Sequence, residues 1–240
     1  MAETSKTELV WPVPDDLRRQ LLAALSENAP APITYEQFLD WADEDTLAEW
    51  VDGAIVMASP ASARHQEVKT FLVRTLAGFV DVHQLGRIYD APFQMKLAHS
   101  GREPDVFFVA ASHLDRLKVT YLDGPADLVI EIISPESVGR DRGDKFEEYR
   151  EAGIPEYWLI DPRLDQANFY QLDSAGRYQD VVPDANGVYA SKALPGFWLR
   201  VNWLWQESLP DPTTALLEID GAAYAAYLKE KLRQARLADE

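Results

Sequence analysis

The chain has 240 residues, 47% of them hydrophobic, with seven tryptophans and no cysteine. That is enough apolar material for a buried core without a disulfide or metal staple. The missing thiols exclude cysteine nucleophiles, Cys-ligated zinc and iron–sulfur clusters, and fit a reducing compartment. A formal charge of −17 argues against a broad electrostatic hold on nucleic acid or an anionic membrane, unless metal ions neutralise an acidic site or basic side chains cluster on one face.

No basic segment followed by an apolar core opens the chain, and no apolar run nears the roughly 18 residues of a membrane span, so a cytoplasmic protein is expected. Residues 1–14, with Pro12 and Pro14, read as a flexible arm, followed by a short helix over Asp15–Ser26 and a linker to Pro32. Thr34 with Gln37 is a capping box for a helix running to about Ala42. Leu47–Ser59 carries Asp52-Gly53 between apolar segments and predicts a hairpin of two short strands.

Ser59-Pro60 predicts a helix start, with the helix reaching about Val82 and Val68, Phe71, Leu72, Leu76 and Phe79 forming its stripe. His65 lies on the margin of that stripe. Gly86–Leu97 reads as a strand pair bent near Pro92, and Glu103–Val109 as a buried strand with a carboxylate at its start. Ala126–Asp161 reads as strand, polar loop, amphipathic helix and strand, a βαβ unit at a buried sheet edge. Its helix runs from Gly139 or Asp141 to Ala152, where Gly153-Ile154-Pro155 stops it. Gln166–Leu199 predicts a hairpin or meander covering the sheet. A last helical region starts at Asp211-Pro212, and Ala222–Leu237 is amphipathic enough to pack on the body or on a partner chain. The domain organisation expected is an arm and short helix over 1–32, a main domain over 33–205 and a helical extension over 206–240.

Within the strand at 126–133, Leu128, Ile130 and Ile132 point one way and Val129, Glu131 and Ile133 the other, so Glu131 interrupts an apolar row. A buried carboxylate needs a cation, a donor or a metal, or it takes up a proton. Asp105 starts another buried strand, and Lys145 sits on the helix after Glu131. If the two strands are neighbours, their carboxylates converge across a spacing of about 4.8 Å. Two converging carboxylates with water suit magnesium, which polarises a phosphoryl oxygen and lowers the pKa of a water, while Lys145 steadies charge on the phosphate. Each residue also has a structural reading. Asp105 could cap a loop backbone, Glu131 could pair with Arg140 or Arg142, and Lys145 could pair with Asp141 at helical spacing.

The strings Glu49-Trp50-Val51-Asp52-Gly53-Ala54-Ile55, Ser59-Pro60 with His65, Pro104-Asp105-Val106, Asp127 to Pro135, Asp141-Arg142-Gly143-Asp144-Lys145 and Pro155 to Pro162 together resemble the Uma-type restriction endonuclease family, a branch of the PD-(D/E)xK nuclease superfamily. The resemblance spans about Thr34 to Leu199. It implies an α/β fold, with a restriction-endonuclease-like mixed β-sheet flanked by helices, and a phosphodiester-cleaving site that uses Mg2+ or Mn2+. By the same resemblance Asp105 and Glu131 match the two acidic positions. The position two after Glu131, where the superfamily has lysine, is Ile133, and the resemblance moves that role to Lys145. Glu49 matches a further acidic position and would be a third metal ligand; a solvated hairpin residue is its other reading. His65 matches the family's histidine, or is a core-margin residue.

The expectation is therefore a metal-dependent endonuclease acting on nucleic acid, DNA rather than RNA, with catalytic Asp105, Glu131 and Lys145 and metal ligands Asp105, Glu131 and Glu49. The competing reading is a non-catalytic dimeric binding or regulatory module on the same fold. The C-terminal helix and hairpin region make a homodimer the expected assembly, which a solution mass of one chain would refute. There is no Gly-x-Ser-x-Gly elbow, no phosphate-cradling glycine loop and no His-Glu-x-x-His, and nothing suggests a sugar-binding cleft for the acid pair.

Overall fold

The structure is a computed structural model that describes residues 31–42, 46–57, 60–134 and 139–238. The expected N-terminal arm, the helix at Asp15–Ser26 and most of the following linker lie outside the described residues, as do Ser59 and Pro135. Helix α1 (Tyr35–Trp41) opens on its capping box, with Gln37 N donating to Thr34 Oγ1 at 3.2 Å and Thr34 N donating to Gln37 Oε1 at 2.8 Å. Strands β1 (Ala48–Val51) and β2 (Ala54–Met57) turn at Asp52-Gly53, whose φ of 48° and 85° suit a two-residue hairpin.

Helix α2 (Ala63–His83) starts later than Ser59-Pro60 suggests, because the hydroxyl of Ser62 accepts from His65 N and caps it there. The expected strand pair at Gly86–Leu97 is corrected. Strand β3 (Gly86–Asp90) and strand β4 (Gln94–Lys96) belong to different sheets, and the chain crosses between them at Ala91-Pro92. Strands β5 (Ser100–Arg102), β6 (Val106–Ala110), β7 (Tyr121–Asp123) and β8 (Leu128–Ile132) follow. A π-helical turn over Arg140–Asp144 runs into helix α3 (Lys145–Glu151), which ends before Gly153 at φ 77°. The remaining strands are β9 (Glu156–Asp161), β10 (Gln166–Leu172), β11 (Tyr178–Asp180), β12 (Val188–Ala190) and β13 (Trp198–Arg200). Helix α4 (Pro212–Ala238) closes the chain, with non-helical Asp220 inside it. No helix among the described residues is long and apolar enough to cross a membrane.

Among the described residues the main sheet has six strands in the order β11-β10-β9-β8-β6-β3, and a second has five in the order β2-β1-β5-β4-β7. Strands β8 and β9 are parallel, as their helical crossover requires, and the other pairs of the main sheet are antiparallel. They form the centre of that sheet, not the edge expected from sequence. Both are buried along their whole length, the pattern of strands covered on two faces. The segment after Gln166 is likewise corrected: β10 and β11 extend the sheet, and only β12 and β13 form a separate hairpin over it.

Alternation along β8 splits the core in two. Leu128, Ile130 and Ile132 pack with Trp158 and Ile160 against Val68, Leu72 and Leu76 of α2. On the other face Val129 and Ile133 join Phe107, Tyr149, Tyr157, Met95 and Leu122, between the two sheets and α3. Each such side chain contributes about 1.5–3 kcal/mol through removal from water. Helix α4 docks on α2 where Gly78 leaves room, since a Cβ there would stand 2.5 Å from Leu216 Cδ1. Glu156, fully buried on the Trp158 face, accepts from Trp158 Nε1, Tyr189 OH, Ser191 Oγ and the backbone N–H groups of Lys192 and Ala193 at 2.6–3.2 Å. It thereby ties the β12–β13 segment to the main sheet.

Candidate active site

Glu131 is the fourth residue of β8 and points to the face shared with α3. In the antiparallel register of β6 with β8, Val106 lies opposite Ile130, so Asp105, one residue earlier, lies level with Glu131. Its Oδ2 accepts from Ile132 N at 2.7 Å, and its Oδ1 meets His65 Nε2 at 2.9 Å. The strands are therefore neighbours, and both carboxylates line one cavity of about 670 Å³. Asp105 precedes β6 by one residue instead of lying within it.

The wide turn at Arg140–Asp144 brings Asp141 and Lys145 back over the end of β8; Tyr157 OH donates to Asp141 O at 3.0 Å and holds that turn. Lys145 Nζ lies 2.9 Å from Glu49 Oε1, 3.0 Å from Glu131 Oε1 and 3.7 Å from Asp141 Oδ1. One turn further along α3, Tyr149 OH donates to Glu131 Oε1 at 2.7 Å. The solvated-hairpin reading of Glu49 is corrected: the residue is 8% exposed on β1 and bonded on both oxygens. Of the arginine partners considered for Glu131, Arg142 is exposed and the Arg140 side chain lies outside the described residues, while Lys145 pairs with Glu131.

Arg102 was not singled out by sequence, yet its Nη1 donates to Glu49 Oε2 at 3.0 Å and its Nε to Glu148 Oε2 at 2.8 Å. The Ser100 hydroxyl also donates to Glu148, so β5 links β1 to α3. Lys69 was missed too, although it sits four residues after His65 on the face of α2 that carries Leu72 and Leu76. A cation within an apolar row is a legible signal. Its Nζ bonds Ala91 O at 3.1 Å and pairs with Asp90 at 3.2 Å.

The cavity wall carries the carboxylates of Glu49, Asp90, Glu103, Asp105, Glu131 and Asp141 against the ammonium groups of Lys69 and Lys145. Burial alone would depress Lys145, but Glu131, Glu49 and Asp141 outweigh it and hold the ammonium charged. Burial raises Glu49 as well, and Lys145 with Arg102 reverses this to keep its carboxylate ionised. Glu131 is pushed the other way, by burial and by Asp141, Asp105 and Glu49, against the pull of Lys145. Burial likewise pushes Glu103 up to about 7, with Glu49 adding to the effect. Neighbouring carboxylates thus differ in proton affinity because of where they sit.

The two raised carboxyls have a consequence for stability. Raised acids bind protons more tightly folded than unfolded, so their contribution is full below the unfolded value and is lost as pH rises through the folded one. In chelator, the melting temperature should fall between pH 5.5 and pH 8.5, through the value near 7 for Glu103 and the raised one for Glu131. A melting temperature that rises across that window would contradict the assignment.

These donors fit a hard divalent cation: the ligands offered are oxygens and the carboxylates outnumber the ammonium groups. Asp105, Glu131 and Glu49 are the groups that could hold one. Among the described residues no three acidic or imidazole side chains are already gathered as a metal cluster, and Lys145 Nζ stands between Glu49 and Glu131.

Residues 35–202 match the model of the Uma2 family, described as "Putative restriction endonuclease". The chain belongs to that family. The Uma2 match begins in α1 and ends just after β13, so it takes in both sheets, α2, α3 and every residue of the cavity named above. Among solved structures the chain is similar to a crystal structure titled as a putative nuclease belonging to DUF820 from Anabaena variabilis, with a TM-score of 0.63 and 17% identity over 72% of this chain and 98% of that one. At that identity the likeness shows a shared mixed α/β fold. No curated protein matches the Uma2 chain.

Proposed function

We propose that this Uma2 chain is a metal-dependent endonuclease that hydrolyses phosphodiester bonds in DNA, with Asp105, Glu131 and Glu49 holding magnesium or manganese. The observation that carries this reading is the meeting of Asp105, Glu131 and Lys145, from three separate elements, at one acidic cavity. When bound, such an ion polarises a phosphoryl oxygen and makes water a better nucleophile at neutral pH. Lys145, kept charged by its carboxylates, is no base; it orients the attacking water and stabilises the charge that grows on the phosphate oxygens. Arg102 and Tyr149 are positioning residues that fix the carboxylates of Glu49 and Glu131. His65 does the same for Asp105 through its Nε2.

The test is incubation of the purified chain with single-stranded and duplex DNA, and with RNA, in magnesium, in manganese and in chelator. Cleavage of DNA that needs the metal and falls about a hundredfold to a thousandfold in Asp105→Asn and Glu131→Gln is expected, the scale of lost preorganised charge stabilisation at such a site. Metal-independent cleavage, or equal cleavage by the variants, would refute the mechanism. The second reading, a non-catalytic binding module, draws on the ion pairs that Lys145 already makes with Glu49 and Glu131. It predicts no cleavage and no thermal shift with either metal.

A further inference from the structure

Next to the catalytic cavity lies a second one of about 520 Å³, and the two share Asp90, Ala91 and Glu103 in their walls. Tyr89 and Phe93 line it as a stacked pair, with ring centroids 4.7 Å apart and planes 21° apart. Tyr89 is in turn stacked at 5.6 Å on Phe107 of the inter-sheet core, so the pair is braced from behind. Both rings remain partly accessible, and Leu39 and Ile88 add apolar wall around them. The Thr120 side chain stands exposed at the rim, and the Glu103 carboxyl supplies a polar edge on the side toward Glu131.

We propose that this second cavity receives one unstacked nucleobase of the strand whose phosphodiester enters the catalytic cavity, so that the substrate is single-stranded or unpaired at the cut. The inference rests on the nuclease reading and names its substrate class. A volume of this size is in the range of small-ligand sites, roughly 300–1,000 Å³, and its make-up is theirs: mostly apolar and aromatic, with a few polar groups. A braced aromatic face accepts any base by stacking, which suits a strand bound without strict sequence readout. Bases inside a duplex do not offer that face without being flipped out of the stack. Lys69 stands at the shared wall, its Nζ on Ala91 O and Asp90, which places a cation where the backbone linking base and cleaved phosphate would pass.

The probe is a DNA strand carrying 2-aminopurine, alone and annealed as a blunt duplex, titrated into the full chain with calcium in place of magnesium. The single strand should bind about tenfold tighter than the duplex, the gain expected of one stacked base, with a change in 2-aminopurine fluorescence. Thr120→Trp, which fills the rim from an exposed position, and Phe93→Ala should each lose that preference. If Phe93→Ala does not fold, Thr120→Trp decides. Equal affinity for strand and duplex, or an unchanged preference in Thr120→Trp, would overturn the base site; metal-dependent cleavage by the wild type would then leave the nuclease reading standing. A wild type that neither binds nor cleaves any nucleic acid would overturn both.

Discussion

Lys145→Met is expected to lower the unfolding free energy in chelator by about 3 kcal/mol or more, because removing one member of a buried ion network leaves its partners uncompensated. The ammonium lies within 3.7 Å of Glu49, Glu131 and Asp141, each of them at most 8% exposed. Uptake of a proton by Glu131, already pushed up by burial, limits the loss but does not replace the bond to Glu49. A divalent cation supplies the missing charge from outside, so manganese should stabilise the variant more than it stabilises the wild type. Under the proposed mechanism cleavage should not return with it, since Lys145 is the group assigned there to orient water and steady the phosphate. Urea unfolding with and without manganese reads both effects. Wild-type stability in the variant, with no extra response to manganese, would show that Lys145 does not hold these carboxylates.

Glu156→Ala acts on the opposite face of the sheet and through a different cause. The substitution strands the indole N–H of Trp158, the hydroxyls of Tyr189 and Ser191 and the N–H groups of Lys192 and Ala193. Each unsatisfied buried donor costs about 1–3 kcal/mol, partly relieved by water entering the cavity left behind, so a total loss of about 3 kcal/mol or more is expected. The urea midpoint should fall accordingly, and the activity of the protein that remains folded should stay unchanged. A midpoint equal to wild type would mean that the β12–β13 segment does not depend on this carboxylate.

The two substitutions mark what sequence could and could not reveal. Glu131 is legible because it breaks an apolar alternation, and its strand, crossover helix and parallel partner follow from pattern and turn chemistry. The hairpin at Asp52-Gly53 and the cap at Thr34 are legible because local backbone geometry alone demands those residues. The partition of β3 and β4 into separate sheets was hidden, since periodicity says which face is buried and not which strand lies alongside. Arg102 was hidden for the same reason: its three-residue strand is buried throughout and shows no alternation to break. Glu156 lies in a stretch that reads simply as core strand, and its donors come from residues more than thirty positions downstream as well as from Trp158. Lys145 was placed on the right helix, but its reach to Glu49 depends on the π-helical turn at Arg140–Asp144, which no local pattern announces.

The most direct measurement of the central claim is a calorimetric titration of manganese into the wild type and into Glu131→Gln, both shown to be folded by circular dichroism. The account predicts saturable binding in the wild type that is lost or weakened at least about tenfold in the variant, because one of the oxygen ligands has lost its charge. Equal binding in the two proteins would contradict the assignment of Glu131 as a metal ligand, and no binding in either would contradict it and favour the non-catalytic module.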